Sequence, residues 1–178
     1  MSWQQVVFGL IEFFISIVIS LFLIFCSYRL FLALTPKIDE ERELRAGNIS
    51  VGLILGSTII GEAIVVKQAI YPVMAVIQIF VLGQDRNVGN FLKMVGFSIG
   101  YVLLAGLLAL ACILFCFWLF SKMTPRIDQY EEIKNNNIAV ALFMAFFIVA
   151  ICFLVSSGVA GLVRALIPFP DIGSIPLS

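Results

Sequence analysis

The feature that most limits what this chain can fold into is a set of four long apolar runs. Val6–Leu34 carries only Glu12 and Arg29 as charges, Ile49–Leu82 only Glu62 and Lys67, Met94–Phe120 none, and Ile138–Ile167 only Arg164. A bilayer core about 30 Å thick is crossed by about 20 helical residues rising about 1.5 Å each. Every run is longer than that. Backbone exposed to lipid must satisfy its own hydrogen bonds, which leaves helices or closed barrels, and barrel strands would alternate polar and apolar residues. These runs do not alternate. The expected fold class is an all-α integral membrane protein with four transmembrane helices, over about 6–34, 49–82, 94–120 and 138–167. The first run has no basic start and no small-residue cleavage site, so it is expected to remain as an anchor.

Composition agrees and removes whole classes of function. Of 178 residues, 62% are hydrophobic and 12% charged, against about 45–50% and about 25% in soluble domains. Eleven basic residues balance eleven acidic ones, so no positive surplus recommends nucleic acid as a partner. The chain has no histidine, the commonest acid–base group and metal ligand. No phosphate loop, nucleophile elbow or carboxylate–base pair is visible. No catalytic residue, cofactor or metal ligand is assigned. Cys26, Cys112, Cys116 and Cys152 all fall inside spans and read as small apolar fillers.

Short loops rich in Lys and Arg stay in the cytoplasm. Lys37, Arg42 and Arg45 follow the first span, with Arg29 at its edge, and Lys122, Arg126 and Lys134 follow the third. The middle loop has only Arg86 and Lys93. Loops one and three are therefore expected inside, and both termini outside the cytoplasm.

The chain also repeats itself. Thr35–Leu53 laid over Thr124–Leu142, an offset of 89, gives nine identities in 19 positions without a gap. The expected organisation is one two-helix hairpin written twice, residues 1–89 and 90–178. Copies with an even number of spans run parallel, related by an axis along the membrane normal. Within the repeated segment, Thr35-Pro36 and Thr124-Pro125 end the preceding helices, because the residue before proline is pushed out of the helical region. Asp39 and Asp128 can then cap helices that start outside the membrane and run straight into the span. The sharper alternative is that these cytoplasmic acids form a pseudo-symmetric ion or partner site.

The offset also matches Asn48, Gly52 and Gly56 with Asn137, Ala141 and Ala145, each set at i, i+4 and i+8 on one helical face. Small residues at this spacing let helices approach closely in lipid, and an asparagine at the head of each stripe can hydrogen-bond across the contact. They read as packing seams; a pathway lined by Asn and small residues is the alternative. Three charges lie within spans, where an ionisable group is a functional candidate. Glu12 and Lys67 fall at comparable outer depths and could pair. Glu62 lies deeper, with Thr58 one turn below. None recurs at the 89-residue offset, where Tyr101, Ile151 and Ser156 stand instead.

Two hairpins carrying Thr-Pro-x-Ile-Asp, an acidic turn, Gly47-Asn48 or Asn136-Asn137, and a small-residue span resemble the bacterial inner-membrane proteins of YjfL type, grouped as domain of unknown function 350. The resemblance is strongest over Asp39 to Gly61 and again over Asp128 to Ala150. The second copy departs from it with Phe143, Phe146 and Phe147, and Glu62 and Lys67 stand where the family pattern has small or apolar residues. The resemblance implies no established activity. It implies an association with envelope-stress and membrane-remodelling gene neighbourhoods, alongside phage-shock-like and flotillin-like proteins. The resulting expectation is a non-enzymatic module of the bacterial inner membrane, a homo-oligomer acting as scaffold or sensor, with membrane-associated partners on its cytoplasmic side. The alternative is a small ion or solute transporter with Glu62 as coupling residue.

Overall fold

The computed structural model describes residues 3–34, 39–82 and 87–166. Six helices run in order: α1 Trp3–Leu34, α2 Glu40–Arg45, α3 Ile49–Leu82, α4 Val88–Met123, α5 Gln129–Lys134 and α6 Ile138–Leu166. Among the described residues there is no strand. Three of these helices are long and apolar enough to cross a membrane, over Ile49–Val81, Val88–Met123 and Ile138–Val163. α1 contributes the apolar stretch Gly9–Phe22. The chain is a multi-pass helical membrane protein.

α3 is the centre of the bundle. It packs against α6, α4 and α1, whereas α1 and α6 share no packed interface. The core is drawn from one stripe of each inner helix: Val51, Ile54, Val65, Val66, Ala69 and Val73 on α3, Tyr101, Ala105, Ala109 and Ile113 on α4, and Ala141, Met144, Ile148 and Cys152 on α6. From α1, the half-buried Ile19, Tyr28 and Leu32 pack against this core. The opposite faces remain apolar and bare: Phe146 is 67% exposed and Phe153 68%. Water would not tolerate such a surface on a monomer, and lipid requires one.

Three local features decide how the helices run. Pro72 lies inside α3 without ending it, so the helix continues to Leu82 and the apolar segment after the proline belongs to the span. Proline removes one backbone donor, a loss that membrane helices tolerate when neighbours re-satisfy the freed carbonyl. The expected uninterrupted run from the cytoplasmic loop into each span is instead broken in two. α2 and α5 stop after six residues, because Gly47 (φ 78°) and Asn136 (φ 58°) take left-handed backbone. Finally, α3 packs tightly on α6 at Gly61. A Cβ built there would lie 2.9 Å from Cys152 Sγ and 3.3 Å from Ile148 Cγ2. The 89-residue comparison does not single this glycine out, since its counterpart Ala150 is exposed.

Any larger residue at 61 must push α3 and α6 apart. Gly61→Val is expected to destabilise the bundle by about 1–3 kcal/mol, the usual cost of overpacking. Gly56→Ala should be neutral, because nothing lies within 4 Å of that Cβ position. Thermal unfolding of the two variants in lipid nanodiscs checks the contrast.

Candidate functional site

The segment that recurs at an offset of 89 residues builds one junction from two similar corners. Each short helix starts on an aspartate: Asp39 Oδ1 accepts from Arg42 N at 3.2 Å, and Asp128 Oδ1 accepts from Tyr130 N at 3.0 Å and Glu131 N at 3.4 Å. Each ends in a Schellman turn, in which two backbone donors beyond the helix close back onto its last carbonyls. Asn48 N donates to Glu43 O at 3.0 Å and Gly47 N to Leu44 O at 3.1 Å; Asn137 N donates to Glu132 O at 2.9 Å and Asn136 N to Ile133 O at 3.1 Å. The residue that closes the turn then caps the next helix. Asn48 Oδ1 accepts from Val51 N at 3.1 Å, and Asn137 Oδ1 from Val140 N at 3.4 Å. Both side-chain amides donate to an acid five residues back, Asn48 to Glu43 at 3.0 Å and Asn137 to Glu132 at 2.7 Å.

From here the corners differ. Asn48 Nδ2 also donates across the bundle to Ile133 O and Lys134 O, each at 3.1 Å. Both are carbonyls of the last turn of α5; Ile133 O already accepts from Asn136 N, whereas Lys134 O has no donor from its own helix. In return Asn136 Oδ1 accepts from Ser50 N at 3.0 Å, a first-turn donor of α3 that its own helix cannot satisfy. Gly47 has no side chain with which to do the same for α6. Asn48 is accordingly buried and Asn137 only half-buried. Two groups on the rim are shifted by their surroundings. Burial raises the carboxyl of Glu40 above its ordinary value, with a smaller push from Asp39. Burial likewise raises the Tyr130 hydroxyl, whose ring stacks on Phe117.

The remaining expected residues fall in three places. Ala141 and Ala145 are buried between α6 and the bundle. Gly52 and Gly56 border a lateral groove of about 270 Å³ that Ser57, Ile60, Leu142, Ala145 and Phe146 also line. Only Leu44 approaches the Cβ position of Gly52, at 3.8 Å. Thr124 caps the end of α4, its hydroxyl donating to Phe120 O at 2.7 Å, and Pro125 follows it on the surface. Thr35 and Pro36 lie outside the described residues, as does the side chain of Glu12 on α1, so its pairing with Lys67 is not described. Lys67 itself is exposed. Glu62 is 3% exposed. Thr58 does not turn towards it, because its hydroxyl donates to Leu55 O at 2.8 Å, and a hydroxyl has one proton to give.

One grouping was not anticipated. Cys112 and Cys116, a turn apart on α4, meet Cys152 of α6, and the three sulfurs all lie within 4.8 Å of one another. Cys112 Sγ is 3.8 Å from Cys152 Sγ. The i, i+4 spacing of the first two was legible; their convergence with a third cysteine 40 residues away was not.

A helical membrane protein with these paired corners matches a recognised family. Residues 5–159 match the family described as Domain of Unknown Function (DUF350), and the chain belongs to that family. It is similar to the UPF0719 transmembrane protein YshE of Bacillus subtilis (strain 168), 27% identical over 118 residues, which is 66% of this chain and 70% of the relative. No solved structure matches.

The two corners should respond unequally to the same change. Asn48→Asp turns a donor facing two carbonyls and a carboxylate into an acceptor, which takes the donor from Lys134 O and sets a second acid against Glu43, at a total of about 1–3 kcal/mol. Asn137→Asp meets only Glu132 and is expected to cost about 1 kcal/mol or less. Unfolding midpoints of the two variants in the same nanodiscs check this order.

Proposed function

We propose that the chain is a non-enzymatic membrane module that assembles with copies of itself, and that serves as scaffold or sensor in the bacterial cytoplasmic membrane. In this reading four spans form two parallel hairpins, residues 1–89 and 90–178, with both termini outside the cytoplasm and loops one and three available to membrane-associated partners. The corner hydrogen bonds recurring at an offset of 89 residues support the duplication. The missing histidine and the lack of an assigned acid–base pair favour a non-catalytic role.

The observation that carries self-assembly is an inequality between matched faces. Val65, Val66, Ala69, Val73 and Val76 of α3 are all buried. Their counterparts 89 residues on, Leu154, Val155, Gly158, Leu162 and Ala165 of α6, are all exposed. α3 has α4 against it, and under the same offset the helix that should cover α6 is α1, which is not there. An α1 from a second copy would cover it in the way α4 covers α3. Contacts of this head-to-tail kind close into rings when the rotation between copies divides a full turn, and run on as filaments when it does not.

Native mass spectrometry from nanodiscs should show a closed oligomer. Leu162→Trp should dissociate it while leaving the unfolding temperature of the chain nearly unchanged, since lipid accepts an indole and a packed interface does not. A wild-type chain that stays monomeric at high protein-to-lipid ratio overturns the reading.

A second reading rests on Glu62. A carboxylate buried in a span is costly and usually functional, and it makes Glu62 the coupling residue of a small ion or solute transporter. Liposome flux measurements test it. A proton- or cation-dependent flux lost in Glu62→Gln supports transport, and equal absence of flux in both proteins removes it.

A further inference from the structure

The geometry points to a soft-cation site at Cys112, Cys116 and Cys152, built to hold one ion of the Cu(I) class between α4 and α6. Three features argue for it. First, the sulfurs converge. A cysteine that only fills volume needs no sulfur neighbour, yet here two helices bring three into a group within 4.8 Å. Second, the spacing suits trigonal coordination. A metal–sulfur bond of about 2.3 Å places three sulfurs in a plane about 4.0 Å apart. The Cys112–Cys152 separation is already 3.8 Å, and the widest edge needs to close by less than a side-chain rotation supplies. Third, the helix next to the site is shaped around it. Gly61 lies over Cys152, where a Cβ would come within 2.9 Å of the sulfur, so α3 holds Cys152 in place with backbone alone.

The donor set also selects the ion. Thiolates choose Cu(I), Zn(II) and iron–sulfur clusters over magnesium or calcium. Structural zinc is tetrahedral and wants four protein ligands. The chain has no histidine, and among the described residues no fourth acid or thiol joins the group. Gly61 and Ile148, which lie against Cys152, carry no side-chain oxygen. A monovalent ion content with three sulfurs fits, and one thiolate beside two neutral thiols cancels its charge, so that loading releases one proton and leaves a neutral site in hydrocarbon. Cys116 and Cys152 are fully buried, while Cys112 is half-exposed. Each thiol that ligates as a thiolate releases a proton, so uptake strengthens as pH rises. The loaded ion would join α4 to α6 directly.

The test uses the full chain, reduced and anaerobic in lipid nanodiscs, titrated with Cu(I) against the chromophoric chelator bicinchoninate. One Cu(I) per chain is expected to be held, with weaker retention on going from about pH 8 to about pH 6. Cys112→Ser and Cys152→Ser should each weaken it by more than the roughly tenfold that changes outside the ligand set already cost. Cys26→Ser, on α1, should leave it unchanged. X-ray absorption should report three sulfur neighbours at about 2.3 Å. Near-UV circular dichroism of the serine variants confirms that they fold. No uptake above that of a chain lacking all three thiols overturns the proposal. So does a non-reduced chain 2 hydrogens lighter, joined Cys112 to Cys152, that takes up no ion on reduction.

Discussion

Backbone groups at the border of the hydrocarbon must find partners before the chain enters it, and this constraint organises the molecule. Every helix leaves first-turn donors and last-turn acceptors without intrahelical partners. In water the solvent takes them; at a membrane face the chain supplies them itself. Here the same residue does so twice over. Asn48 closes the end of α2 and opens α3, and its amide reaches the frayed end of α5 as well. Asn137 does the first two and not the third. α3 and α6 are thus held in register by hydrogen bonds between the two corners and by the close contact of Gly61 with Cys152 deeper in the span.

That register gives the bundle its uneven plan. α3 is enclosed on three sides, while α6, though built on the same pattern, presents its matching face outward. The polar groups follow the same plan. Glu62 and the thiol group both belong to the crowded interior around α3, and the hydroxyls of Ser57, Thr58 and Ser156 are turned back onto their own helices. In lipid such local bonds satisfy each hydroxyl without a partner on another helix.

Much of this was legible in the sequence because its causes are local. The starts of α3 and α6 at residues 49 and 138 follow from where charge ends and apolar residues begin, and the aspartate caps follow from their place before a short acidic helix. The break at 47 and 136 was signalled only by a glycine and by the run Asn135-Asn136-Asn137, residue types that tolerate left-handed backbone. What escaped depends on how helices are rotated about their own axes. Periodicity shows that Gly52 and Gly56 share a face, but not that this face opens onto a groove while Gly61 takes the tight contact. It likewise cannot bring Cys152 beside two cysteines on another helix.

The difference between Gly47 and Asn136 makes the two corners unlike partners. The glycine relaxes its corner, whereas the asparagine accepts a less favoured backbone and uses its carbonyl to hold Ser50. The two corners are complementary rather than equal: Asn48 of the first donates to the carbonyls that end α5, and Asn136 of the second receives the amide that opens α3. A change at either one loosens a contact that the other corner has no group to replace.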